Sequence, residues 1–242
     1  MSTAISVKDL HITYKSLKAV SSKRAIFSFG KNKLEVFEAV RGVSFDIEEG
    51  QVVGLIGRNG SGKSTLLRAI AGIFSADKGE IDLHGKSVSL LSIGVGFKTG
   101  LSGRENIILS GLLMGFKKQE IEAKMDAIIE FSELGDFIDK PVKTYSSGMY
   151  SKLAFSITAI METDIMLVDE VLSVGDEKFK KKSFDKIKEL ISDKTRTVVI
   201  VSHNSDTLKK LCDHIIWINK GELMMQGKTN EVLAAYKEFL NK

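Results

Sequence analysis

The chain has 242 residues, is 43% hydrophobic and 27% charged, and carries a formal net charge of +4. That length suits one domain, or a domain with a subdomain, around a sizeable core. No apolar run approaches the roughly 18 residues of a membrane span, and Met1-Ser2-Thr3-Ala4 lacks a basic-then-apolar signal pattern. The single cysteine, Cys212, has no internal disulfide partner, which suits the cytoplasm, and the mild positive balance gives no argument for nucleic acid.

Ile5 to Ile12 alternates and predicts a strand. Residues 15–36 break the pattern with Lys15, Lys18, Lys23, Arg24, Lys31 and Lys33, and no acidic residue occurs there before Glu35. Leu17, Val20, Ile26, Phe27 and Phe29 are scattered among them. The segment reads either as a solvated loop or as a contact with a membrane surface or lipid headgroups.

Val43, Phe45 and Ile47 alternate again, Glu49-Gly50 turns the chain, and Val52-Val53-Gly54-Leu55-Ile56 is a short apolar run. Gly57-Arg58-Asn59-Gly60-Ser61-Gly62-Lys63-Ser64-Thr65 follows, and then Leu66, Leu67, Ile70 and Ile73 at helical spacing. Strand, glycine-rich turn, lysine, hydroxyl and helix form the layout of a phosphate-binding P-loop. The glycines let the backbone curl around an anion with N–H groups inward. The helix adds its positive end. Lys63 is the residue to reach the β- and γ-phosphates of a nucleotide, and Ser64 the one to ligate Mg²⁺.

Gly79 to Leu83 and Ser87 to Ser92 predict short strands. From about Arg104 to Ile160 the chain turns helical, with Ile121, Met125, Ile128 and Ile129 on one face and Leu153, Ile157 and Ile160 on another. Tyr145-Ser146-Ser147-Gly148-Met149 opens a helix that Ser146 or Ser147 can cap. Ile165-Met166-Leu167-Val168-Asp169-Glu170 is an apolar strand ending in two carboxylates, which places Asp169 to bind Mg²⁺ and Glu170 to polarise a water. Lys178 to Ile191 predicts a helix, and Thr197 to Val201 a strand leading to Ser202-His203. At that strand end His203 can sense a γ-phosphate, whereas His11, His84 and His214 read as surface or packing residues. Cys212 reads as a buried helix residue. Ile215 to Ile218 and Leu223 to Gln226 predict strands, and Glu231 to Leu240 a helix. The outline is an α/β core with a helical insert between its halves.

Together these pieces resemble the ATP-binding-cassette family over nearly the whole chain. The order is P-loop, helical insert, the signature Tyr145–Met149, the Walker B strand Ile165–Glu170, and the switch His203. The signature keeps Ser146 and Gly148 of the usual Leu-Ser-Gly-Gly-Gln and departs at the other three positions. Ser173-Val174-Gly175-Asp176 resembles the D-loop, and Lys98 stands where the Q-loop glutamine would be. The resemblance implies a P-loop NTPase (RecA-like) core with an antiparallel β subdomain. The expected organisation is one nucleotide-binding domain over 1–242, with a basic insertion at 15–36, a helical subdomain at 98–162 and a C-terminal helix at 229–242. Tyr14, or alternatively Phe37, would stack on adenine.

Ser146 and Gly148 would contact ATP held by a second copy, so that two ATPs are sandwiched in a dimer. The signature, Asp169-Glu170-Val171-Leu172-Ser173-Val174-Gly175-Asp176 and Gly103-Arg104-Glu105-Asn106 look like the ATPase subunits of lipid-linked polysaccharide exporters, and Ile128 to Val142 with the Tyr236 to Asn241 end look most like the teichoic acid branch. O-antigen and capsule exporters share much of the pattern. A polytopic permease would be the membrane partner, docking near Lys98 at the cytoplasmic face. Related exporters carry an insertion where residues 15–36 lie. No appended carbohydrate-binding domain is expected. The competing readings are a soluble cassette protein acting on DNA or ribosomes, which would carry coiled-coil arms or two cassettes, and a P-loop kinase, which leaves Tyr145–Met149 unexplained.

Overall fold

A computed structural model describes residues 2–17, 34–91, 96–169, 175–192, 195–202 and 204–241. Two sheets carry the architecture. Strands β1 (Thr3–Leu17), β2 (Leu34–Glu48) and β4 (Lys78–Asp82) form an antiparallel sheet in the order β2-β1-β4. Strands β3 (Val52–Ile56), β5 (Val88–Leu91), β6 (Ile165–Asp169), β7 (Thr197–Val201), β8 (His214–Asn219) and β9 (Glu222–Lys228) form the second, in the order β5-β6-β7-β3-β8-β9. All pairs in the second sheet are parallel except β8–β9, a tight hairpin.

The parallel strands are short and almost continuously apolar because both faces are covered. Val52 to Ile56 and Thr197 to Val201 are buried at every position. On one face, Leu55, Val199 and Leu167 pack with Leu66, Leu67 and Ile70 of helix α1 (Lys63–Ile70) and with Ile5, Leu10 and Ile47 of the antiparallel sheet. On the other, Ile56, Val168 and Ile200 meet Phe155, Phe179, Ile187 and Leu208. These come from helices α4 (Ser147–Ile160), α5 (Glu177–Ser192) and α6 (Ser205–Leu211). Each large apolar side chain removed from water contributes about 1.5–3 kcal/mol.

A third apolar cluster lies within the helical insert, where α2 (Gly103–Leu113), α3 (Lys118–Ser132) and α4 meet through Ile107, Ile121, Ile128, Leu153 and Ile157. Helix α2 begins with a reciprocal cap. Ser102 Oγ accepts from Glu105 N at 3.2 Å, and Ser102 N donates to Glu105 Oε2 at 2.7 Å. That bond holds the Glu105 carboxyl below the ordinary range. Helix α7 (Thr229–Leu240) closes the described chain.

Two expectations shift. The β1–β2 ladder continues through Lys15↔Val36, Ser16↔Glu35 and Leu17↔Leu34, so both ends of the 15–36 segment are paired strand, and 18–33 lie outside the described residues. Cys212 is buried but caps the end of α6 in extended conformation rather than lying inside the helix. Burial pushes its thiol up to about 12.

Candidate functional site

The central strand of the parallel sheet, β3, lies between β7 and β8 and delivers residues 57–65 to the sheet's carboxyl edge. The glycines there are sterically required. A Cβ on Gly57 would lie 2.0 Å from the Ile218 carbonyl oxygen, and one on Gly62 would lie 2.3 Å from that of Ala39. Gly62 caps α1 with φ 104°, so the helix's first N–H groups open into the turn. Gly221 N donates to Ser61 O at 2.9 Å, and Arg41 N to Gly221 O at 2.8 Å. The β8–β9 hairpin therefore ties the turn to β2.

Lys63 is buried, with only 6% of its surface exposed. Its Nζ donates to Gly57 O at 2.8 Å and Arg58 O at 3.1 Å, which holds the ammonium inside the cradle. Ser64 Oγ donates to Asp169 Oδ1 at 3.3 Å. That bond brings the end of β6 against the start of α1, a juxtaposition of residues more than a hundred positions apart. A cleft of about 420 Å³ lies above, lined by Phe37, Ala39, residues 59–65 and Val201.

Of the two candidate aromatics, Phe37 lines this cleft and is 54% exposed. Tyr14 is its direct partner across the β1–β2 ladder. Tyr14 hydrogen-bonds Thr65 through its hydroxyl at 3.1 Å and sets its ring edge-on to Phe74 at 6.0 Å. It is not among the cleft's lining residues. Glu170 and His203 lie outside the described residues. Asp169 and Val201, which precede them on adjacent strands, are paired in register.

The sequence profile of the ABC transporter family matches residues 40–173. The chain belongs to the ABC transporter family.

This ABC-transporter chain is 45% identical over 240 residues to the teichoic acids export ATP-binding protein TagH of Staphylococcus epidermidis, covering 99% of this chain and 90% of that protein. It is 46% identical to the Lactococcus lactis TagH over 98% of this chain and 51% of that protein. It is also 46% identical to the O-antigen export system ATP-binding protein RfbB of Myxococcus xanthus, over 84% of this chain and 46% of that protein. The chain thus spans about half the length of several of the curated relatives it matches. The fold matches that of the ATP-binding cassette MJ0796 in a dimeric post-hydrolysis state bound to ADP and Pi, with TM-score 0.73, 21% identity, and coverage of 93% of this chain and 98% of that one. The helices, the parallel sheet and the antiparallel sheet are those of an ABC ATPase cassette.

The other segments that resemble family motifs lie apart from the P-loop cleft. Ser146 caps α4, accepting from Met149 N at 3.2 Å, and of Ser146 and Ser147 it is the former that does so. A Cβ on Gly148 would meet nothing closer than Ser146 Oγ at 3.9 Å, so this turn presents open backbone. Neither Ser146 nor Gly148 lines the cleft at Lys63. Lys98 is exposed, but its main chain is held at both ends by Asn106. Asn106 Oδ1 accepts from Lys98 N at 2.8 Å, and Asn106 Nδ2 donates to Lys98 O at 3.1 Å. The same amide nitrogen also donates to Ser102 O at 2.8 Å, and Asn106 is wholly buried.

Asp176, at the end of the D-loop segment, caps α5 by accepting from Phe179 N at 2.9 Å and receives Lys152 Nζ at 2.7 Å. The ammonium, aided by that backbone N–H, draws the Asp176 carboxyl down to about 2. Lys152 lies one helical turn along α4 from the signature, so signature and D-loop segments are ionically joined within one chain. Sequence reasoning missed Lys152 and Gly221, and it quoted Asn106 only within a resembling motif, without its role. Only the Asn219-Lys220-Gly221 turn, with positive φ at Lys220 and Gly221, left a local trace.

Proposed function

We propose that the chain is the ATP-hydrolysing subunit of a transporter that exports a lipid-linked polysaccharide, most closely a teichoic acid, across the cytoplasmic membrane. The observation that carries the ATPase reading is the bond from Ser64 to Asp169 at the mouth of the Lys63 cradle. The export reading rests on about 45% identity, over almost the whole chain, to proteins named for teichoic acid export. The relative named for O-antigen export supports the same polysaccharide class as the second reading.

In this reading the residue 57–62 N–H groups and Lys63 bind the β- and γ-phosphates, and Phe37, with Tyr14 beside it, receives the base. The hydroxyl and carboxylate of Ser64 and Asp169 are the hard oxygen donors that Mg²⁺ takes, with substrate phosphates completing its shell. When bound, Mg²⁺ neutralises charge developing on the transferred phosphoryl group. Glu170 accepts a proton from the attacking water, and His203 hydrogen-bonds the γ-phosphate. The open turn at Ser146–Gly148, remote from this chain's own cleft, meets ATP held by a second copy.

No helix among the described residues is long and apolar enough to cross a membrane. In the export reading, a polytopic permease would supply the path for the glycan while this subunit sits at the cytoplasmic face. The basic segment around Lys23 and Arg24 would meet headgroups there, each cation contributing on the order of 1 kcal/mol near an anionic surface.

Glu170→Gln tests the cycle. It should slow hydrolysis strongly, leave ATP binding intact and accumulate an ATP-bound dimer in size-exclusion chromatography. A monomer with ATP, together with no closed state in the assembled transporter, would overturn the sandwich. Copurification with a polytopic membrane protein tests export, and association with ribosomes or DNA instead would replace it with the soluble alternative.

A further inference from the structure

Helix α7 touches the P-loop at its C-terminal end. Its start is fixed: Thr229 Oγ1 donates to Cys212 O at 2.6 Å, and Val232 and Leu233 are buried. Its far end rests on aromatic contacts. Tyr236 and Phe239 stand edge-on to the Trp217 indole, with centroids at 5.4 and 5.1 Å. Trp217 pairs with Ile56, the last residue of β3 before the P-loop. The Phe239 ring also carries the Arg58 guanidinium, 5.1 Å from its centroid. Arg58 is exposed, but its carbonyl accepts both Ser61 N at 3.1 Å and Lys63 Nζ at 3.1 Å. A continuous line of contact thus runs from α7 through Phe239 and Arg58 to the lysine of the cradle.

We propose that Arg58 is a positioning residue seated on α7, so that the position of this helix sets the P-loop carbonyls against which Lys63 rests and thereby the affinity for nucleotide phosphate. The inference rests on the ATP reading above. A cation over an aromatic face at an exposed site is a weak contact, and weakness suits a seat that can be made and lost. When Lys63 shares its protons with a phosphate, its bond to the Arg58 carbonyl loosens and the 57–58 peptide can shift. By reciprocity, whatever α7 does to nucleotide affinity, nucleotide does to α7. The molecule carries its own reporter, because Trp217 is its only tryptophan.

The test uses the full chain. ATP affinity is measured by equilibrium dialysis, and ATP-induced change in Trp217 emission by fluorescence, for wild type, Arg58→Ala, Phe239→Leu, the double variant and Phe239→Tyr. We expect each single loss to weaken ATP binding by about two- to five-fold, the ratio that an exposed cation–π contact supports. The double variant should be no weaker than the worse single, Phe239→Tyr should stay near wild type, and the emission change should vanish in both singles. Additive losses, or singles that lower only the melting temperature while ATP affinity holds, would overturn the proposal. Should Phe239→Leu fail to fold, persistence of the emission change in Arg58→Ala would overturn it alone. A wild type that binds no ATP would overturn the functional reading itself, whereas wild-type binding without coupling would overturn only this inference.

Discussion

Ser64, the second residue of α1, donates its hydroxyl to Asp169, the last residue of β6, at 3.3 Å. The two termini converge because β6 and β3 run parallel with only β7 between them, so both end at the same sheet edge. Asp169→Asn keeps the shape and removes the charge. If Asp169 holds Mg²⁺ as proposed, ATPase activity should fall on the order of 100-fold or more, since a lost metal contact costs several kcal/mol in the transition state. Mg²⁺ titration of the residual activity should shift to higher concentration, and an unchanged Mg²⁺ dependence would remove Asp169 from the site.

Lys63 should be irreplaceable even by arginine. Its ammonium fits between two backbone carbonyls while buried, and a planar guanidinium needs more room and a different donor geometry. Lys63→Ala and Lys63→Arg should both lower ATP turnover on the order of 100-fold or more. Recovery of activity in the arginine variant would show that charge alone suffices.

The three P-loop glycines should differ in tolerance. Gly60→Ala places its Cβ in open space and costs only the left-handed backbone, φ 75°, about 1–2 kcal/mol. Gly57→Ala and Gly62→Ala drive a Cβ against the carbonyls of Ile218 and Ala39. Those should cost about 3 kcal/mol or more. Urea unfolding of the three variants should rank Gly60→Ala as the mildest.

Asp176 gives a pH signature. Folding lowers its pKa from 3.8 to about 2 through Lys152, so between those values the unfolded chain binds more protons than the folded one. The stabilisation is present above pH 4 and is lost as pH falls through 2. Thermal melts of wild type and Asp176→Asn between pH 2 and 5 should therefore converge toward the acid end. A gap that stays constant with pH would mean that ionisation of Asp176 contributes nothing to stability.

The P-loop, the Walker B strand and the parallel core were legible because their signals are local: glycine spacing fixes a turn, and doubly covered strands are apolar throughout. The outer ends of β1 and β2 were hidden because Lys15 and Ser16 end the alternation, and only pairing with Val36 and Glu35 completes the strands. The sequence favoured Tyr14 over Phe37 for the base, without a sign of how the two rings are arranged. They are cross-strand partners; the Tyr14 hydroxyl reaches Thr65, and Phe37 lines the cleft. Lys152–Asp176 and Arg58–Phe239 join elements far apart in the chain, and periodicity carries no trace of such pairings.

Asn106 grips residue 98 by its main chain alone. The loop's path is therefore indifferent to which side chain stands there, and Lys98 occupies the position without its side chain being needed to hold the turn. Asn106 has no such latitude: an aspartate would turn a bare acceptor toward the carbonyls of Lys98 and Ser102. Along this stretch, a substitution at position 98 would change what the surface presents, whereas one at position 106 would unseat the loop.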